Sequence, residues 1–164
     1  MSSESAHRPT ATVVIVSDRS AAGLREDLSG PVAVELLLQA GFHVPAPVIV
    51  PDGIEHVRAA IIEAGRAGAR FVVTAGGTGV APRDLTPEAT KSLLARELPG
   101  IPELLRRSSP VPHAALSRGL AGITDHGVIV LNLPGSPRAV DEGLSVVLPL
   151  LPHLLDQLAG GDHP

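Results

Sequence analysis

The sequence predicts an α/β protein of three layers, a mostly parallel β-sheet with helices on both faces. Three observations carry that prediction. Short β-branched runs alternate with amphipathic helical patterns along the chain. The runs at 11–17 and 70–75 are nearly continuous in apolar residues, the pattern of strands buried on both faces. A chain of 164 residues with 44 % apolar content is also large enough for one domain with a full core.

Residues 1–10 read as a flexible N-terminal tail and 11–160 as the domain. ATVVIVS at 11–17 is the first strand. Gly30 and Pro31 then open a helix through VAVELLLQAG, closed by Gly41 as a C-cap. HVPAPVIV at 43–50 reads as a second strand whose prolines suit a sheet edge. GIEHVRAAIIEAGRAG at 53–68 is a second helix, RFVVTA at 70–75 a third strand, and PEATKSLLAREL at 87–98 another helix. A proline-rich stretch from Pro99 to Pro112 has no assigned element. LAGITDHGVIVLNL at 120–133 gives two strands joined at Asp125-His126-Gly127, a β-hairpin in the C-terminal third. The closing helix, 136–160, is expected to kink at its prolines.

Composition narrows the chemistry. No cysteine is present, so disulfides, thiolate metal sites and thiol catalysis are excluded. Two Phe are the only aromatic residues and the net charge is −4, which argue against base stacking and phosphate-backbone binding of nucleic acid. Twelve Arg accompany a single Lys, Lys91, so an anion would be gripped by guanidinium forks or backbone amides. The first ten residues lack the apolar core of a signal peptide. The most apolar run, 144–155, is short and broken by Pro149 and Pro152. A soluble, cytoplasmic protein with no membrane partner is expected.

In open α/β sheets ligands bind beyond the carboxyl ends of the strands, where the strand order reverses. Four loops leave such ends: SDRSAAG, PDG, GGTGVAPRD and PGSPR. Gly76, Gly77 and Gly79 permit positive φ and close backbone approach, so their amides suit an anion-binding nest, and equally a tight strand-to-helix turn. Thr78 lies among them. The loop is neither a Walker A sequence nor a dinucleotide fingerprint. Asp52 and Asp84 should overhang one crevice, where two acids suit a Mg²⁺ ion shared with a polyphosphate. Asp52-Gly-Ile-Glu55 is also a capping-box spacing, and for this residue alone that structural role weighs more. Asp84 is spare, because Thr86-Pro87-Glu88 already supplies an N-cap and first turn. Arg83 fits a phosphate clamp or a partner for an acid. Ser136 before Pro137 is an ordinary N-cap, and Gly135 an ordinary turn residue. The seven histidines show no paired zinc spacing, and no nucleophile elbow occurs. The residues thus reach a Mg²⁺-dependent, phosphate-handling site and no named substrate.

SDRSAAG, VPD, TAGGTGVAPRDLTPEAT, ELPGIPELLRRSS, ALSR and LNLPGSPRAV, taken in that order, carry a resemblance over residues 11–156. The chain resembles the molybdenum-cofactor biosynthesis family, which includes the molybdopterin adenylyltransferases, the MoaB proteins and the G domain of gephyrin-like proteins. The RD-x-TPE form is more similar to the adenylyltransferase branch. The resemblance implies a homotrimer with the molybdopterin-binding-domain fold, Mg²⁺ and ATP, and molybdopterin as the second substrate. The products would be adenylyl-molybdopterin and pyrophosphate, with a molybdenum insertase downstream. Asp52 and Asp84 match the family's catalytic, metal-holding acids. Gly76, Gly77, Thr78, Gly79 and Arg83 match its nucleotide phosphate segment, in which Ala75 replaces a common residue. Ser117, Arg118, Pro134, Gly135 and Ser136 match segments on the pterin side. A MoaB-like paralogue and a non-catalytic molybdopterin-binding module are the alternatives.

Overall fold

A computed structural model describes residues 7–161. Most of the expected N-terminal tail, residues 1–6, lies outside the described residues, and Thr10 already belongs to the first strand. The elements run β1 (Thr10–Val16), α1 (Asp18–Ala21), α2 (Ser29–Gln39), β2 (Val48–Val50), α3 (Ile54–Arg66), β3 (Ala69–Ala75), α4 (Thr86–Lys91), β4 (Leu94–Glu97), α5 (Gly100–Ser108), β5 (Ala121–Thr124), β6 (Ile129–Leu133), α6 (Pro137–Val147) and α7 (Leu151–Leu158). The six strands form one sheet in the order β2-β1-β3-β6-β5-β4. β2, β1, β3 and β6 are parallel, while β5 and β4 run antiparallel.

β1 and β3 are buried on both faces, as their unbroken apolar runs require. Alternate residues of each strand feed two separate cores. Val13 and Ile15 join Phe71, Val73, Leu131 and Leu133 beneath α2, α6 and α7. Val14 and Val16 join Val72 and Val130 beneath α3 and α4. Helices therefore cover both faces, giving the three layers expected. The closing helix breaks where its prolines stand, into α6, a 3₁₀ turn over Leu148–Leu150, and α7.

Three local expectations change. The second strand shrinks to Val48–Val50 at the sheet edge, with His43 adding only an isolated bridge to Thr10. The segment 87–98 is not one helix. α4 stops at Lys91, where Ser92 Oγ and Leu93 N–H bond back to the Ala89 and Thr90 carbonyls, and the chain then becomes strand β4. The reason is non-local: β5 offers an open edge, and the ladder opposes Leu94–Glu97 to Gly122–Thr124 across an irregular register. A Cβ at Gly122 would lie 2.5 Å from the Arg96 carbonyl oxygen, so glycine lets the two strands close up there.

The proline-rich stretch holds helix α5. Pro102 is its third residue, where a missing N–H costs nothing because that amide has no helical acceptor. Glu103 stands in its first turn and Arg106 and Arg107 in its last, matching the helix dipole. Ile101 and Leu105, four apart, pack on the core under α6.

A buried polar knot joins three elements. Asn132 Nδ2 donates to Thr74 Oγ1 (3.0 Å) and Thr90 Oγ1 (2.9 Å), and its Oδ1 accepts from the Leu120 N–H (3.0 Å). These bonds tie β6 to β3 and α4 directly under the carboxyl ends of the parallel strands. Asn132→Ala should cost about 2–3 kcal/mol, since it leaves buried donors and acceptors unmatched. For a domain of this size thermal melting should fall by about 5–10 °C. A fall below about 2 °C would show that the knot holds nothing together.

Candidate functional site

All four polar loops emerge at the same end of the sheet. The register pairs Val16 with Val50, Ile15 with Ala75, and Ala75 with Leu133, so Ser17, Pro51, Gly76 and Pro134 begin side by side. The strand order reverses between β1 and β3, with β2 outside and β6 inside. A crevice at that point is what the topology demands.

Packing is tightest at Gly76. Its N–H donates to the Leu133 carbonyl (2.9 Å), its φ is +113°, and an added Cβ would overlap the Val16 carbonyl. Gly77 has φ +68°, and an added Cβ would overlap Thr86 Oγ1 and lie 3.2 Å from Asp52 Oδ1. Gly79 is not left-handed, contrary to expectation. A Cβ there would stand 2.8 Å from Asp84 Oδ2, so a larger residue would displace that carboxylate. The carboxylates of Asp52 and Asp84 thus line the two sides of a backbone cradle. Thr86 does not cap α4: its hydroxyl donates to the Gly76 carbonyl (2.9 Å) and its N–H to the Gly77 carbonyl (3.1 Å), pinning the loop.

Asp52 does not cap α3 either. The N-cap is Gly53, with no side-chain bond, and the Asp52 carboxylate turns to the start of α1, just past β1, instead. Its Oδ2 accepts from the Asp18 N–H (3.1 Å), while Asp18 Oδ1 accepts from the Asp52 N–H (3.1 Å). This reciprocal pair clasps the ends of β1 and β2. Arg83 completes it, with Nε to Asp18 Oδ2 (2.6 Å), Nη2 to Asp18 Oδ1 (2.9 Å) and Nη2 to the Asp52 carbonyl (3.1 Å). Arg83 is therefore a brace between two acidic loops in this structure.

The acids feel different fields. The Arg83 fork holds the Asp18 carboxyl below its ordinary value. Burial pushes the Asp52 carboxyl above its ordinary value, and the neighbouring charges of Asp18 and Asp84 add to that, against the Asp18 N–H and Arg83. Asp52 is thus protonated more readily than an ordinary carboxylate.

Arg118 is also spent on the loop. Its N–H donates to the Thr78 carbonyl (2.9 Å), Nε to the Gly79 carbonyl (2.8 Å) and Nη2 to the Asp84 carbonyl (2.7 Å). Glu88 pairs with the same guanidinium, whose hydrogen bond, with its charge, holds the Glu88 carboxyl below its ordinary value. Ser117 has its Oγ 3.4 Å from the Gly119 N–H, and its carbonyl accepts from Arg106 Nη1 (3.3 Å). Ser136 Oγ caps α6 through the Ala139 N–H (3.1 Å), and Gly135 takes the Ser29 hydroxyl on its carbonyl (2.6 Å).

A cleft of about 480 Å³ runs between the two groups of loops, lined by Gly76 to Gly79 and Asp84 on one side and by Ser117 and Pro134 to Ser136 on the other. Asp52, Asp18 and Arg83 do not line this cleft; Asp52 meets the glycine loop at Gly77, where its Oδ1 would lie 3.2 Å from an added Cβ, and Asp18 and Arg83 stand behind it. A smaller cavity of about 210 Å³ continues past Ser117 and Pro134 to Arg106. Sequence reasoning missed Asp18, Thr86 and Glu88 as working residues. Asp18 had a signal: an acid at the carboxyl end of a parallel strand, in a loop already marked as polar.

Known proteins resemble this chain over nearly its whole length. The family model described as a probable molybdopterin binding domain matches residues 12–153. A molybdopterin adenylyltransferase of Helicobacter pylori is 40 % identical over 156 residues, spanning 90 % of this chain and 86 % of that protein. A molybdenum cofactor biosynthesis bifunctional protein of Synechococcus elongatus is 43 % identical over 155 residues, or 93 % of this chain. The chain spans only 48 % of that relative's length. A molybdopterin biosynthesis protein from Mycobacterium abscessus superposes with a TM-score of 0.87 at 44 % identity, covering 93 % of this chain and 97 % of that one.

The brace makes a titration prediction. Asp18, with its folded pKa depressed, stabilises the fold above its unfolded pKa, and that contribution is lost as pH falls through the folded pKa. In Arg83→Ala the Asp18 carboxyl should titrate upward toward its ordinary value, and Asp52 should move further up, as read by carboxyl NMR. An Asp18 titration unmoved by the substitution would break the brace assignment.

Proposed function

This chain belongs to the molybdopterin binding domain family of molybdenum-cofactor biosynthesis proteins, and from that premise we propose that it is a molybdopterin adenylyltransferase. The observation that carries the proposal is the backbone cradle of Gly76 and Gly77 with Asp52 and Asp84 on its flanks. Glycine amides and a tight turn suit phosphate oxygens, and two acids suit the ion that accompanies a polyphosphate.

The residues fit Mg²⁺. Asp52 and Asp84 present oxygens beside the cradle, and Asp52 is half-buried. Among the described residues no cluster of three or more His, Cys, Asp or Glu could hold a metal by itself. That suits Mg²⁺, which takes one or two carboxylates and completes its shell with water and substrate phosphates. When bound, the ion would neutralise charge on the reacting phosphates.

The chain's own groups supply the rest. Gly77, Thr78 and Gly79 would seat the nucleotide phosphates, with Gly76, its N–H bonded to Leu133, turning the loop and Arg83 holding Asp18 and Asp52 in place. Ser117, Arg118 and the Pro134–Ser136 turn would border the pterin end of the cleft. An oxygen of the molybdopterin phosphate bonds to the α-phosphorus of ATP. The bond from that phosphorus to the bridging oxygen breaks, and pyrophosphate leaves with the electron pair. Catalysis of this kind is mostly alignment and electrostatic stabilisation. A homotrimer, a cytoplasmic location and delivery to a molybdenum insertase complete the proposal; no helix among the described residues is long and apolar enough to cross a membrane.

Two outcomes test it. Asp84→Asn should keep the fold and lower ATP- and molybdopterin-dependent pyrophosphate release by about 10²-fold or more. Asp52→Asn should do the same with unchanged melting, because Asp52 caps no helix. Near-normal turnover of either variant at saturating Mg²⁺ would remove the acids from the chemistry.

The second outcome is thermal. Mg²⁺-ATP at about 100 times its Kd should stabilise the protein by about 2.7 kcal/mol at neutral pH, or about 5–10 °C in melting. Protons compete with the cation for Asp52, whose folded pKa is raised, so the gain should fade on acidification earlier than for an ordinary carboxylate. In Asp52→Asn that fading should be weaker. Identical pH profiles in the two proteins would exclude Asp52 as the ligand.

A further inference from the structure

The protein has no aromatic surface with which to hold a flat ring. Its only aromatic residues, Phe42 and Phe71, are both buried, and their rings lie against each other with centroids 6.1 Å apart. A nucleotide and a pterin each carry such a ring, and stacking on an aromatic side chain is the usual way to seat one. The cleft must use something else.

Its two lips each end in a large aliphatic side chain turned to solvent. Val80, at the tip of the glycine loop, is 74 % exposed, and Leu116, just before Ser117, is 62 % exposed. Both line the cleft. Neither joins either core, so neither is required by packing. Their loops are nonetheless bridged. Arg118, two residues after Leu116, bonds through its backbone and guanidinium to Thr78 and Gly79, the residues just before Val80. Glu88 anchors that guanidinium from below. Two apolar groups lining one cleft, with a bonded bridge between their loops, lose less freedom on meeting a ligand than two loose tips would.

We propose that Val80 and Leu116 are the jaws of an aliphatic clamp for the flat heteroaromatic ring of a bound substrate. The clamp rests on the adenylyltransferase function proposed above and adds the residues that recognise the ring. Apolar faces on both sides of a ring gain by excluding water and by dispersion, without the directional demands of hydrogen bonds. Val80 stands beside the phosphate cradle and Leu116 beside the pterin-side serine, so the ring is either the purine of ATP or the pterin.

The test measures binding of three probes to the whole protein by calorimetry: Mg²⁺-ATP, molybdopterin, and Mg²⁺-tripolyphosphate, which has phosphates and no ring. Val80→Ser and Leu116→Ser should each weaken one ring-bearing probe several-fold, and the double variant should weaken it about tenfold. Tripolyphosphate should stay within about twofold in all of them, which also reports an intact cradle. Val80→Ile and Leu116→Met should retain wild-type binding. Loss on the ATP arm identifies the purine, and loss on the molybdopterin arm the pterin. The clamp is overturned if both ring-bearing probes bind the double variant as they bind wild type, or if tripolyphosphate weakens in step with them. In the first case, retained binding leaves the adenylyltransferase proposal standing. Wild-type protein that binds none of the three removes both.

Discussion

The site depends on one close approach. Gly76 passes between the ends of β1 and β6 with no room for a methyl group: Val16 closes one side, and Gly135 the other, where an added Cβ would lie 3.2 Å from Gly76 Cα. β3 ends in this gap, which sets the loop after it against the loop after β6 across one cleft. The N–H of Gly76 is satisfied by Leu133, so the squeeze leaves no orphaned donor. Asn132 and its two threonines hold the strand ends in register just beneath.

Around that gap the polar side chains divide the work. Both arginines of the site are tied to acids and carbonyls, Arg83 across Asp18 and Asp52, Arg118 across the glycine loop and Glu88. Guanidinium forks suit this, because planar bidentate bonding fixes orientation as well as charge. Both are partly exposed, so their value lies in geometry rather than in fold stability. With the forks engaged and the Gly76 N–H bonded to Leu133, the backbone amides from Gly77 to Gly79 are the natural groups for an anion, and the carboxylates of Asp52 and Asp84 the natural place for a cation. Negative and positive halves of a metal–polyphosphate pair would each meet the opposite partner.

Scarcity shapes the chemistry too. Valine, isoleucine, leucine and alanine fill the two cores on either side of the sheet, and both aromatic residues are consumed in one of them. The cleft is therefore built from glycine, serine, proline and aliphatic tips. Rigidity has to come from hydrogen-bonded bridges such as Arg118, since no bulky rings wedge the loops in place.

Sequence by itself determined the alternation of strands and helices, the doubly buried β1 and β3, the edge position of β2, the hairpin at Asp125–Gly127 and the four loops that meet. Each is written in a local pattern: apolar period, turn residue or breaker. Tertiary structure alone decided what those patterns leave open. Leu94–Glu97 is a strand because β5 presents an unpaired edge, which no local propensity records. α5 was legible in the 101/105 spacing and its charged ends, but Pro102 masked it. Asp52 has the spacing of a cap, yet its carboxylate meets the Asp18 N–H thirty-four residues away. A carboxylate accepts from whichever donor the fold brings within reach, and that choice belongs to the packing of strand ends, not to the neighbours in the chain.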